Sequence, residues 1–339
     1  MKQRAFALTL SLGLVLMFSS LASAQYKLTK LTSNQSGVAT YTDPLLVNGW
    51  GLTYGPGGPF WVSDNGDGWS TLYNSTGQPQ TTQVIVPSAN GISAGTPTGI
   101  VYNGSTQFQI DGWTSVFLFD TLDGTISGWS EFSPSASIIA VDNSASGAIY
   151  TGLAITNYAS NNYIFAADSW NNKVDIYDGN FNFVSSFTDP SLPAGFTPFG
   201  IQDIGGSVYV TFASTSGGPG GYVDIFSEQG KLIKRLVHGS PLNQPWGLAM
   251  APKNFGPLSN ALLVGNNINF SSTINAFNAT TGKFMGTIST SAGKAIKIDQ
   301  LWGIEFGGGS TSNGKTNQLF FTAGPSNNVN GLFGVISYK

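Results

Sequence analysis

Asn48-Gly49-Trp50-Gly51-Leu52 is the first of six short cassettes that recur down this chain. The others are Thr96-Pro97-Thr98-Gly99-Ile100, Ile149-Tyr150-Thr151-Gly152-Leu153 and Thr197-Pro198-Phe199-Gly200-Ile201. Gln244-Pro245-Trp246-Gly247-Leu248 and Gln300-Leu301-Trp302-Gly303-Ile304 complete the set. The shared unit is Gly-Leu or Gly-Ile, and its glycines stand 48, 53, 48, 47 and 56 residues apart. A repeat of roughly 40–50 residues built from strands is the mark of propeller blades. The cassettes therefore predict an all-β, six-bladed β-propeller.

Each cassette is followed by a second apolar run, such as Phe60-Trp61-Val62-Ser63, Val116-Phe117-Leu118-Phe119 or Tyr163-Ile164-Phe165-Ala166. Aromatic and β-branched residues dominate these runs, as strands require. A third run alternates, as in Lys173-Val174-Asp175-Ile176-Tyr177 and Tyr222-Val223-Asp224-Ile225-Phe226, and reads as a half-exposed strand. Turn residues and a fourth run, such as Val84-Ile85-Val86 or Ile138-Ile139-Ala140-Val141, close the unit at four strands. The sixth repeat lacks its fourth run. Tyr26-Lys27-Leu28-Thr29-Lys30-Leu31 alternates ahead of the first cassette and is expected to fill that outer place, closing the ring.

The glycine of each cassette predicts close backbone approach near the axis, where a Cβ would intrude. Trp50, Phe199, Trp246 and Trp302 precede four of these glycines. They are expected to wedge between adjacent blades, with stacking on a ligand as the alternative.

Lys2 and Arg4, an apolar run from about Ala5 to Phe18, and Ala22-Ser23-Ala24 have the form of a signal peptide spanning residues 1–24. The propeller domain is then 25–339, secreted or periplasmic, without a membrane span and expected to be a monomer. Without Lys2 and Arg4, basic residues number 12 against 17 acidic. A mildly acidic chain with 9% charged residues argues against nucleic-acid binding. The chain has no cysteine, so no disulfide framework and no thiolate metal site is available.

These stretches carry a resemblance, together with Gly58-Pro59-Phe60-Trp61-Val62-Ser63-Asp64-Asn65-Gly66, Asp123-Gly124-Thr125-Ile126-Ser127-Gly128-Trp129 and Ala140-Val141-Asp142-Asn143-Ser144-Ala145. The chain resembles an uncharacterised family of secreted bacterial β-propeller proteins, conserved hypothetical exported proteins. More distantly, Val208-Tyr209-Val210 after Pro198-Phe199-Gly200-Ile201 is similar to NHL-repeat and gluconolactonase-like propellers. The resemblance implies six blades and leaves the activity open.

In an up-and-down blade the first strand starts, and the second ends, on one face. A rim at the mouth of the axial channel is therefore expected to gather Asn48, Asp64, Asp67, Asp120, Asp168, Asn171, Gln244, Asn266 and Gln300. These are the candidate ligand-binding residues. The acidic and amide members at three-residue spacing also suit turn capping, which is the preferred reading for each pair. If they converge instead, their oxygens could hold Ca²⁺. His238 is the one histidine of the chain, so a multi-histidine metal site is excluded, and an inter-blade loop is expected for it. No nucleophile elbow or phosphate loop stands in usable context. The expected function is a binding or interaction module for a glycan, peptide or surface protein. The alternative is a calcium-dependent hydrolase or lyase, whose acid would have to come from the rim's Asp and Asn set. The rim offers no Glu: Glu131, Glu228 and Glu305 are placed within or after later strands.

Overall fold

The computed structural model describes residues 26–338 apart from Ile92. The signal-peptide expectation for residues 1–24 falls outside the described residues. Six four-stranded antiparallel units follow one another in chain order. Blade one is Gly49–Tyr54, Phe60–Asp64, Trp69–Tyr73 and Pro79–Ile85. Blades two to five repeat the pattern, each led by a cassette strand: Pro97–Tyr102, Tyr150–Tyr158, Phe196–Asp203 and Pro245–Met250. Blade six is Leu301–Phe306, Gln318–Ala323 and Leu332–Tyr338, with Tyr26–Ser33 as its outer strand.

The ring therefore closes with strands from both ends of the chain. Tyr26 pairs with Tyr338 and Ser33 with Leu332, in an antiparallel ladder with one bulge after Lys30. Thr32 and Ser33 also pair in parallel with Tyr41 and Thr42, a fifth strand the repeat does not contain. The Tyr26 hydroxyl donates to the Phe255 carbonyl at 2.6 Å, tying the closure to blade five.

In the first strand of each blade, pairing slips at the cassette. In blade one Gly49 faces Asp64 and Leu52 faces Val62, so Trp50 and Gly51 stand against Ser63 alone. Similar slips occur at Tyr150/Leu153, Pro198/Ile201, Pro245/Leu248 and Leu301/Ile304. The cassette is thus a β-bulge, which bends the strand and re-aims a side chain. The glycine is required by its neighbour. A Cβ on Gly51 would lie 2.3 Å from the Thr98 carbonyl of the next blade, and one on Gly200 would lie 2.1 Å from that of Trp246. Each bulge frees a backbone N–H, and a second-strand side chain takes it in three blades. Thr211 accepts from Gly200 at 2.8 Å, Thr322 from Gly303 at 2.9 Å and Asp120 from Gly99 at 2.5 Å.

The third strands are not half-exposed. Asp175 and Asp224 are as buried as Val174 and Ile176, because a neighbouring blade covers each face of a blade. Burial of these carboxylates is compensated locally. Asp175 pairs with Lys173 at 2.8 Å and accepts from the Tyr150 hydroxyl at 3.0 Å, and Asp224 pairs with Arg235 at 3.3 Å. Alternation in such a strand separates two packed surfaces rather than core from water. Among the described residues no helix is long and apolar enough to cross a membrane.

Candidate functional site

The four cassette aromatics do not wedge between neighbouring blades. The bulges turn them onto the axis, where they meet. Trp50 and Trp302 stack with centroids 3.5 Å apart. Trp246 stands edge-on to Trp50 at 6.2 Å and to Trp302 at 5.9 Å, and Phe199 reaches across from blade four. The Trp246 indole donates to the Thr151 carbonyl at 2.7 Å, and that of Trp302 to Asn48 Oδ1 at 2.9 Å. Beneath this plug the axis keeps a cavity of about 30 Å³ between the cassette glycines and Leu and Ile side chains. That is room for one or two waters, so the axis is not a through-passage. The channel has two separate mouths.

The upper mouth is formed where first strands begin; of the rim residues Gln244 lines a hollow there, while Asp64, Asp120 and Asp168 are fully buried. The structure brings them to one face but not to one point. Asp168 Oδ1 accepts from the backbone N–H groups of Ile149 and Asn171 at 3.2 and 3.1 Å, and its Oδ2 accepts from Asn171 Nδ2 at 2.7 Å. Asn266 accepts from Asn243 N and donates to the Pro241 carbonyl. Asp64 accepts from the Thr71 hydroxyl and backbone inside blade one, and Asp67 from Trp69 N in the next turn. Asp120 lies in the bulge of blade two and accepts from the Thr98 hydroxyl at 2.7 Å as well as from Gly99. Burial pushes the Asp64 carboxyl well above the usual range, against the pull of its Thr71 bonds. Burial likewise raises Asp67 to about 7 and Asp120 to about 6. Among the described residues no three His, Cys, Asp or Glu side chains are grouped so as to hold a metal ion.

Asn48, Gln244 and Gln300 share a conformation as well as a place. All three take left-handed backbone angles, φ 51°, 49° and 48°, two residues ahead of a plug tryptophan. Asn48 donates to Asn65 Oδ1 at 3.0 Å, and Gln300 to Asn267 Oδ1 at 3.3 Å. The buried Gln300 Oε1 has no partner. Gln244 donates from Nε2 to the Ser214 and Gly218 carbonyls, at 3.0 and 3.2 Å, which leaves its Oε1 free. His238 ends the outer strand Leu232–His238 opposite Tyr222 rather than sitting in a loop.

Beside this amide arc lies a hollow of about 450 Å³ over blades three to five. Trp170, Thr197, Phe199, Ser214, Thr215 and Gln244 line it. Trp170 follows the second strand of blade three and is 70% exposed, unusual for an indole. No charged side chain lines the hollow, and the Thr197 hydroxyl makes no hydrogen bond to a protein group among the described residues. Of these residues the sequence pointed to Phe199 and Gln244. Trp170 was missed, although a lone Trp in the rim-side turn Asp168-Ser169-Trp170-Asn171 was a visible signal.

The lower mouth is formed where first strands end, and the sequence reading passed over it. Glu305 is the fifth residue of the first strand in blade six, so its placement in a later strand is corrected. Gly303 and Ile304 of this strand line the axial cavity, and Glu305, next in the chain, lines the hollows beyond it. Two hollows of about 230 and 240 Å³ share Leu52, Gln202, Asp203 and Glu305 in their walls. Burial pushes the Glu305 carboxyl up to about 8. Burial and the nearby Glu305 charge push the Tyr54 hydroxyl, in the same mouth, up to about 12.

A six-bladed ring with a plugged axis and two mouths defines a six-bladed β-propeller. No family model matches the chain. Its sequence relatives include uncharacterised proteins of Acanthamoeba polyphaga mimivirus rather than bacterial exported proteins. One is 28% identical over 93% of this chain and 81% of its own length. Another is 31% identical over 70% of this chain and 47% of its own length. Among solved structures, a virginiamycin B lyase from Staphylococcus aureus has a TM-score of 0.53 at 12% identity, covering 93% of this chain and 100% of its own. A gluconolactonase from Xanthomonas campestris has a TM-score of 0.54 at 11% identity, covering 87% and 89%. At such identities the likeness is one of fold.

Proposed function

We propose that this protein is a binding module whose upper-mouth hollow takes a neutral, hydroxyl-rich ligand of the glycan class. The observation that carries the reading is the exposed Trp170 at the edge of an uncharged hollow walled by Phe199, Thr197 and Gln244. Sugars present an apolar ring face and a belt of hydroxyls. An aromatic ring takes the first, and hydroxyl and amide groups take the second. The free Gln244 Oε1 and Thr197 hydroxyl supply an acceptor and a donor without any side chain having to give up a partner. The absence of charge in the lining disfavours a phosphate or an acidic peptide. Secretion or export of a monomeric domain suits such a ligand and belongs to the same proposal. A glycan array, followed by titration calorimetry with the best binder, tests it. Binding that Trp170→Ala weakens at least tenfold supports the reading. An array without a binder, or affinity indifferent to Trp170, overturns it.

A second reading is a calcium-dependent hydrolase or lyase, by analogy with the lyase and gluconolactonase that share the fold. The observation on its side is that buried Asp64 Oδ1 and Asp120 Oδ2 lack partners. It requires turnover of a lactone or related ester that ceases with chelator.

A further inference from the structure

The position two residues after the cassette glycine faces the lower mouth and is filled by Thr53, Val101, Ala154, Gln202, Ala249 and Glu305 in turn. Five blades place a neutral residue there. Blade six alone places a carboxyl, and that carboxyl has no hydrogen-bond or ion-pair partner among the described residues. Asp203, one residue beyond Gln202, adds a second carboxyl to the same walls, engaged only by Gly206 N at 3.2 Å. No Lys, Arg or His lines either hollow. Leu248, Met250, Ile304 and Phe306 make an apolar wall on one side, and Thr53, Tyr54 and Tyr102 bring neutral polar groups on the other. A carboxyl held beside an apolar wall without a partner costs stability. A fold that needed only packing here would be served by the Ala or Val of the other blades.

We propose that the lower mouth is a second binding site, independent of the upper hollow, for a small organic cation: a primary ammonium on a short alkyl stem. Glu305 and Asp203 take the ammonium, the Tyr54 hydroxyl and the Gln202 amide complete its hydrogen bonds, and the apolar wall takes the stem. A charge-assisted pair out of bulk water is among the stronger polar contacts a protein makes. The hollows, each near 240 Å³, suit a stem of a few carbons rather than a large ligand.

The titratable groups around Glu305 are few. Tyr54 comes from blade one, Tyr102 from blade two and Asp203 from blade four, while blades three and five present only Ala154, Ile155, Leu248, Ala249 and Met250. The site therefore carries a proton balance of its own. Below pH 8 the Glu305 carboxyl is protonated, and taking up an ammonium ion expels that proton to solvent. Binding must strengthen as pH rises to about 9, where an alkyl ammonium with pKa near 10.4 is still charged.

The test is titration calorimetry of the full chain with n-pentylamine, with n-pentanol and with calcium chloride, at pH 6 and pH 9. The amine is expected to bind at pH 9, at least tenfold more weakly at pH 6, and at pH 7 to release a proton measurable as a dependence on buffer ionisation heat. Glu305→Gln, nearly isosteric, is expected to lose at least tenfold at pH 9, and Asp203→Asn about threefold, both with unchanged circular dichroism. Equal amine binding by Glu305→Gln, equal binding of pentanol, or calcium bound in place of the amine would each overturn the proposal. Trp170→Ala should leave amine binding intact, so this site and the upper hollow stand or fall separately.

Discussion

The two mouths of the channel are made from opposite ends of the same six strands, yet their chemistry differs. At the upper mouth most polar residues are amides and aspartates that spend hydrogen bonds on turns and on one another, as Asp168 does with Asn171. At the lower mouth Glu305, Gln202 and the Tyr54 hydroxyl lack partners among the described residues, and one wall is apolar. The difference follows from the loops. Upper turns are tight and run straight off the second strand, so an Asp or Asn there finds its own backbone within reach. Glu305 lies inside a strand whose backbone is already paired with Phe320. It has nothing local to bind. Polar residues at a turn are thus poor indicators of a site, while a polar residue unspent inside a strand is a better one.

The sharpest way to break the comparison is to join the mouths. Trp302→Ala removes the ring stacked on Trp50 and opens the plug above a cavity that already exists. The expected cost is about 3–5 kcal/mol, the usual price of a large buried aromatic truncated to alanine. Denaturant unfolding measures it, and a loss below 1 kcal/mol would show that the plug is not part of the packed core.

Glu305→Gln probes the lower mouth without any ligand. The folded carboxyl is raised to about 8, while the unfolded chain gives up this proton near pH 4. The folded state thus holds a proton that the unfolded state has lost between those values. The group's contribution is most favourable below pH 4, declines as pH rises through 8, and is a full cost above that. The full shift corresponds to about 5 kcal/mol, and partial access to water reduces this to the order of 2 kcal/mol. Glu305→Gln should therefore melt higher than the parent at pH 9 and equally at pH 4. A gain that does not depend on pH would show that the carboxyl is not strained there.

At the upper mouth Asp168→Ala deletes two hydrogen bonds of its turn and one from Ile149 N across the blade, and about 3 kcal/mol is expected to be lost. A loss that is the same with and without millimolar Ca²⁺ marks Asp168 as a turn cap. Stabilisation by Ca²⁺ that vanishes in the variant would revive the metal reading, since a ligand bound at a hundredfold excess adds about 2.7 kcal/mol. The smallest effect on stability belongs to Trp170→Ala, within about 0.5 kcal/mol, because the side chain is largely in water. Thermal melting checks it, and a large loss would mean that Trp170 serves packing and not a ligand.

The sequence by itself determined the six blades, their four-strand order and the closure by Tyr26–Ser33. Those follow from spacing, alternation and turn chemistry, all local properties written into each repeat. The cassette glycines were legible for the same reason: each blade makes the same close approach to the next. The sequence also placed the rim residues on one face, because that follows from strand direction alone. What they do there was decided by the fold. Whether Asp120 faces a ligand or a bulged N–H depends on a slip of one residue in pairing with the neighbouring strand. The meeting of Trp50, Trp246 and Trp302 on the axis depends on the same slip, repeated in three blades far apart in the chain. Asp175 and Asp224 read as solvent-facing because alternation cannot distinguish water from an adjacent blade. Glu305 was passed over because its importance lies in what surrounds it. All five other blades contribute those walls, and only closure of the ring brings them to its carboxyl.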